Sequence, residues 1–187
     1  MEFEKLDIEG AWLATSAIFK DERGDFREWF KAEEVLSKTG IDFEVAQSNV
    51  STSAKGVIRG IHYSIAPEGQ AKWVTCTKGK IWDVVVDIRP NSPTFMKWVG
   101  AELTPDSGSS VLVGVGLGHA FISLEENSVV SYLLTSKYSS AEEFAINPLD
   151  NQIAISWPRN AILLSDKDRS APTLNENQMA DLLPFMH

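Results

Sequence analysis

Residues 56–88, GVIRGIHYSIAPEGQAKWVTCTKGKIWDVVVDI, constrain the fold more tightly than any other stretch of the chain. Residues 57–63, 71–76 and 80–88 are rich in β-branched and aromatic side chains, and Lys78-Gly79 separates the last two runs. That pattern reads as strand, loop, strand, tight turn, strand, and so as an antiparallel sheet. Arg59, His62 and Lys72 interrupt runs otherwise suited to burial. A core does not take up charged or titratable groups without a reason, so these are the first candidates for chemistry. Strict alternation would set Arg59 and His62 on opposite faces, whereas a bulge at Gly60 would bring both inward.

The flanking segments extend the same theme. Residues 1–19 read as a strand-rich start, followed by a charged turn at 21–25 and the aromatics Phe26, Trp29 and Phe30. Residues 31–38 compose a helix stopped by Gly40. Residues 43–51 alternate as a half-buried strand that places Gln47, Asn49 and Ser51 on one face. Further strands are predicted over 95–103, 111–115, 118–124 and 128–135, with turns at 90–93 and 105–108. A loop on Ser165 to Asp168 precedes one more helix near 175–183, ended by Pro184. The spacing predicts one domain over residues 1–187: an all-β antiparallel sandwich or jelly roll with short terminal helices.

Composition narrows the function classes. A formal charge of -9 argues against a nucleic-acid surface, so an anionic ligand must be met by a local basic pocket. No apolar run approaches the roughly 20 residues needed to span a bilayer, the single Cys76 has no internal disulfide partner, and the N-terminus lacks a signal-peptide pattern. These features predict a cytoplasmic protein. Of the three histidines His187 is terminal, leaving His62 and His119. Positions 60 and 64 are Gly60 and Ser64, so no His-x-His pair supports a metal site, and no Gly-x-Ser-x-Gly elbow supports a nucleophilic triad. Proton transfer remains, for which a histidine oriented by a carboxylate and faced by a tyrosine suffices.

Motifs along nearly the whole chain resemble the dTDP-4-dehydrorhamnose 3,5-epimerase family. They include DERG (21–24), QSN (47–49), GVIRGIHY (56–63), QAK (70–72), DVVVDIR (83–89), SPTF (92–95), GHAF (118–121), Tyr132 with Tyr138, and LSDKD (164–168) followed by Ala171-Pro172. The resemblance implies a cupin-type jelly roll without metal or cofactor, usually a homodimer, acting on a dTDP-4-keto-6-deoxy sugar. It makes His62 the base, Asp168 its partner, Tyr132 the acid on the opposite face, and Lys72 the group that steadies charge on the C4 oxygen. For the substrate it implies Arg23, Phe26, Glu28, Gln47, Asn49, Arg59, His119, Tyr138 and Lys167, with Tyr138 stacking on the base. His119 taken alone reads equally as a hydrogen-bonded structural histidine.

The chain also departs from the family pattern. Asp25 stands where an apolar residue is usual, GVGLG (114–118) replaces Pro-Glu-Gly-Phe-Ala, Ala120 replaces Gly, and Met96 follows Phe95 where Gly is usual. The wording GVGLGHAF and SYLL is closer to relatives serving antibiotic sugars, some of which invert only one centre. The resemblance therefore leaves C3, C5 or both open. A non-catalytic sugar-nucleotide binder and a keto-isomerase of the same fold are the alternatives, but a mere binder has no need of a base and an acid on opposite faces.

Overall fold

The computed structural model describes residues 1–158, 162–181 and 183. Its elements run β1 (Glu2–Lys5), β2 (Ala11–Thr15), β3 (Phe19–Asp21), β4 (Gly24–Phe26), α1 (Ala32–Thr39), β5 (Gln47–Ser53), β6 (Ile58–Ser64), β7 (Lys72–Lys78) and β8 (Ile81–Asp87). The chain continues with β9 (Trp98–Leu103), β10 (Ser109–Val113), β11 (Leu117–Ser123), β12 (Ser128–Leu134), β13 (Glu143–Ala145), α2 (Asp166–Arg169) and α3 (Leu174–Met179). Two antiparallel sheets pack together, one in the order β1-β2-β10-β7-β12-β5 and one in the order β13-β6-β11-β8-β9. This is the jelly roll that the strand spacing predicts.

Alternation along the strands divides the apolar residues into three clusters. Val74, Cys76, Val111 and Val130 of the larger sheet meet Ile81, Val85 and Phe121 of the smaller one between the layers. On the outer face of the larger sheet, Trp73 and Leu112 pack against Val35 of α1 and Phe43. On the outer face of the smaller sheet, Tyr63, Val84, Val86 and Ala120 are covered by Ile146, Ile153 and Leu174. The C-terminal segment is thus a structural layer, and it carries α2 to the mouth of the sandwich.

Several boundaries differ from the sequence reading. Residues 43–46 are not strand; β5 begins at Gln47, because Phe43 is spent in the cluster under α1. Residues 95–97 form a turn, in which the Met96 N–H donates to the Asp87 carbonyl at 2.8 Å with Met96 at φ 66°, so β9 starts only at Trp98. The strand expected at 111–115 ends at Val113, where the Gly114 N–H donates back to Gly10. Ser165 to Asp168 is not a loop: Ser165 caps a short helix, and the last helix among the described residues is α3, Leu174–Met179, with Pro184 outside them. The first helix is close to its expected span, and Gly40 at φ 75° closes it by donating to Leu36.

Candidate active site

An open cleft of about 610 Å³ lies between the two sheets. The larger sheet contributes Asn49 from β5, Lys72 from β7 and Tyr132 from β12. Register places these groups in two adjacent rows: Tyr132 stands opposite Asn49, and Leu134 lies between Gln47 and Lys72. Gln47 Nε2 donates to Asn49 Oδ1 at 3.0 Å, and Gln47 Oε1 accepts from the Tyr138 backbone N–H at 2.9 Å. The Asn49 amide in turn acts on the Tyr132 hydroxyl, drawing its pKa down against the effect of burial. The expected common face of Gln47 and Asn49 is therefore the face that holds Tyr132. Tyr138 lines the cleft but is itself largely exposed.

The smaller sheet contributes His62 from β6, with Glu143 and Phe144 from β13. The register of β6 against β11 shifts between His119 and Phe121: His62 pairs with His119 and Arg59 with Phe121, so Gly60 and Ile61 together oppose the single Ala120. This is the bulge the sequence called for. It sets Arg59 and His62 on one face, since His119 and Phe121 are two residues apart. Gly60 is required there, at φ 122°, because a Cβ would sit 2.5 Å from the His119 carbonyl. Arg59 reaches to the rim and is exposed, its guanidinium donating to Ser53 Oγ at 3.0 Å and to the Thr52 carbonyl at 3.2 Å.

His62 Nε2 and Asp168 Oδ1 are 2.7 Å apart. Asp168 is buried, while about a third of the His62 side chain remains open to the cleft. Ser165 holds the carboxylate from the other side: its hydroxyl donates to Asp168 Oδ2 at 2.9 Å and accepts from the Asp168 N–H at 3.1 Å. Burial, the largest influence, acts to raise the Asp168 carboxyl. The bonds from His62 and Ser165 and the charges of His62 and Lys167 outweigh it, so the group lies below the ordinary carboxylate range. Asp168 therefore stays anionic beside the imidazole.

Lys72 is 7% exposed. Burial pulls its ammonium below the usual lysine range, opposed by the negative charges of Glu143 and Asp83. Burial also raises the Tyr132 hydroxyl, and Glu143 adds to that shift, while Asn49 and Arg59 oppose it. Tyr132 is accordingly a protonated donor at neutral pH. Gln70, 5% exposed, donates to Glu143 Oε1 at 2.8 Å and to Ser136 Oγ at 3.1 Å, which ties β13 to the loop after β12. His119 is not at the cleft lining; its Nε2 lies 2.8 Å from Asp83 Oδ2 deep in the sandwich. Among the described residues no group of three or more His, Cys, Asp or Glu could hold a metal ion.

The cleft thus brings together His62, Asp168, Lys72, Tyr132, Asn49, Gln47, Tyr138 and Lys167 of the residues the sequence singled out. It does not bring in Arg23, Phe26 or Glu28. Arg23 is on the turn of the β3–β4 hairpin, ion-paired with Asp21, and Phe26 is 64% exposed. Glu28 pairs with Lys31 at 2.7 Å on the surface. Sequence reasoning gave no role to Glu143, Gln70 or Ser165. Glu143 sits on a three-residue strand with no alternation to flag it, whereas Ser165 stands three residues before Asp168, the spacing of a helix cap.

The sequence of residues 5–176 matches the family model of dTDP-4-dehydrorhamnose 3,5-epimerase. A dTDP-4-dehydrorhamnose 3,5-epimerase of Mycolicibacterium smegmatis is 42% identical over 185 residues, covering 98% of this chain and 91% of the relative. A 4-keto-6-deoxy sugar epimerase from the novobiocin biosynthetic gene cluster of Streptomyces spheroides superposes with a TM-score of 0.96 at 40% identity, over 99% of this chain and 93% of that one. A 3'-monoepimerase from Streptomyces bikiniensis, solved in complex with dTDP-quinovose, superposes with a TM-score of 0.92 at 44% identity, over 96% and 91%. With the motifs, the jelly roll and the matched length in agreement, the chain belongs to the dTDP-4-dehydrorhamnose 3,5-epimerase family of carbohydrate epimerases.

Proposed function

We propose that this protein epimerises a dTDP-4-keto-6-deoxyhexose beside its ketone, at C3, C5 or both, with His62 as base and Tyr132 as acid. The observation that carries the reading is the 2.7 Å His62–Asp168 pair, set in one cleft with Tyr132 and Lys72 from the opposite sheet. The C–H bond next to a ketone is acidified, and His62 takes that proton while the bonding electrons move onto the C4 oxygen as an enolate. Lys72, itself nearly buried, supplies positive charge to that oxygen, and such a preorganised donor is worth roughly 10² to 10³ in rate. Asp168 fixes the imidazole and stabilises the imidazolium. Tyr132 then delivers its proton to the other face of the carbon, the double bond returns to C=O, and solvent restores both groups.

The rest of the cleft suits a nucleotide sugar. Lys167 and Arg59 offer cations to a diphosphate, and Tyr138 offers a ring to the base. Arg23, Phe26 and Glu28 lie outside the chain's own cleft, and in a homodimer the β3–β4 hairpin reaches the cleft of the partner. The relatives at 42% and 44% identity carry different names, one a 3,5-epimerase and the other a 3'-monoepimerase, so position is decided by experiment. Incubation with a dTDP-4-keto-6-deoxyhexose in deuterated water, read by NMR, places label at C3, at C5 or at both. Label at neither carbon, with substrate bound, would leave a sugar-nucleotide binder and overturn the reading.

A further inference from the structure

We propose that Asn177 is a positioning residue for the reaction, a latch that holds the C-terminal arm bearing Asp168 against the rung of sheet bearing His62. The inference rests on the base and partner roles given above, and it concerns a residue just past the stretch matched by the family model. Asp168 sits on α2, a helix of four residues, too short to hold its own position without tertiary contacts. α2 itself packs on β6, the arm beyond it is tied down where the Asn147 N–H donates to the Pro172 carbonyl at 2.9 Å, and α3 adds the next anchor. Asn177 is 1% exposed, and both ends of its amide are used: Oδ1 accepts from the Tyr63 hydroxyl at 3.0 Å, and Nδ2 donates to the Ala145 carbonyl at 3.2 Å and to the Thr173 carbonyl at 3.1 Å.

Two of these partners lie on adjacent rungs of the sheet. Tyr63 follows His62 in β6, and Ala145 is the register partner of His62 across β13. A single buried amide therefore spans the two strands at the level of the base. A second tie, the Leu174 N–H donating to Asp150 Oδ2 at 2.7 Å, anchors the start of the same helix. Buried amide bonds are directional and costly to leave unmade, so the latch selects one seating of the arm. Displacing the arm moves Asp168 off His62, and Lys167 on the same helix with it, while the cleft wall built by Asn49, Lys72 and Tyr132 stays in place.

A double-mutant cycle on kcat tests this. Asn177→Ala is expected to lower kcat about 10-fold, the scale on which small misplacements act, with a smaller rise in KM through Lys167, and to cause no further loss of kcat in an Asp168→Asn background. Tyr63→Phe removes one arm of the latch but keeps its ring stacked on Phe144, so it repeats the cycle should Asn177→Ala not fold. A fall in melting temperature with kcat unchanged overturns the proposal, as does an equal loss in both backgrounds. If Asp168→Asn alone leaves kcat intact, the reading of the His62–Asp168 pair falls and the latch with it.

Discussion

Substituting the two residues proposed to handle protons separates removal from return. His62→Ala is expected to abolish both epimerisation and solvent exchange, because no enolate forms. Tyr132→Phe keeps the ring and deletes the hydroxyl, so the enolate forms and His62 returns the proton to the original face. Exchange then continues while inversion falls roughly 10² to 10⁴-fold, the worth of a positioned general acid. Exchange by deuterium NMR and inversion by product analysis are measured on the same sample. Normal inversion by Tyr132→Phe would move the acid to Tyr138 or a water; free exchange by His62→Ala would displace the base. At this scale the sequence was informative about residue types in motif context, and His62, Lys72, Tyr132 and Asp168 gather as expected although 106 positions separate the first from the last. It was silent about Glu143, whose influence on Lys72 and Tyr132 depends on a strand pairing that no local pattern announces.

The elements decide where those side chains point, and β6 is the one on which the site turns. Gly60→Ala would place a Cβ 2.5 Å from the His119 carbonyl and 2.6 Å from the Ala120 Cβ, at φ 122°. We expect a loss of about 1 to 3 kcal/mol from the backbone strain alone, seen in urea unfolding, together with a drop in kcat as His62 leaves its register. An unchanged unfolding midpoint would mean that the bulge absorbs the methyl group. The turn after β8 makes a second test. Asp87, fully buried, accepts from Arg89 Nη2 at 2.8 Å and from Thr94 at 2.6 Å. Burial acts to raise its carboxyl, but the bonds from Arg89, Ser92 and Thr94 prevail and hold it below its ordinary 3.8. A depressed folded pKa contributes stability in full above the unfolded value and loses it as pH falls through the folded one. Asp87→Asn should therefore cost about 3 to 5 kcal/mol near neutral pH by stranding Arg89, with the gap to the parent narrowing once pH drops below that range. A gap that does not narrow would show that Asp87 is not the titrating group. The strands around this turn were legible because β-branched and aromatic runs mark them. Residues 95–97 were not, since an apolar Phe-Met pair reads as strand until Met96 adopts a left-handed conformation.

For the whole molecule, the charge of -9 and the composition of the cleft pull in opposite directions. Lys72 and Lys167 face the cleft and Arg59 stands at its rim, so an anion meets local positive charge in an otherwise acidic protein. The jelly roll itself was legible from strand spacing, but the place of the hairpin was not, because strand pattern does not say what its exposed rings meet. Every residue of β3 and β4 is exposed, and Phe19 and Phe26, paired across the hairpin, are 61% and 64% exposed. Two such rings in water are unfavourable for a monomer, and Arg23 at the tip can serve a diphosphate only where another cleft comes to it. Coexpressing Arg23→Ala and His62→Ala chains tests that arrangement. Were Arg23 to act within its own chain, every site in a mixed dimer would carry one lesion, and activity would stay at the level of the single variants. If it acts across the interface, each mixed dimer has one site with both lesions and one with neither. Random pairing in a two-fold dimer then restores about a quarter of the sites, read as activity rising well above either variant alone. Failure of the mixture to recover, with mixed dimers verified by tagged copurification, would return Arg23 to the solvent-exposed surface and leave the cleft complete within one chain.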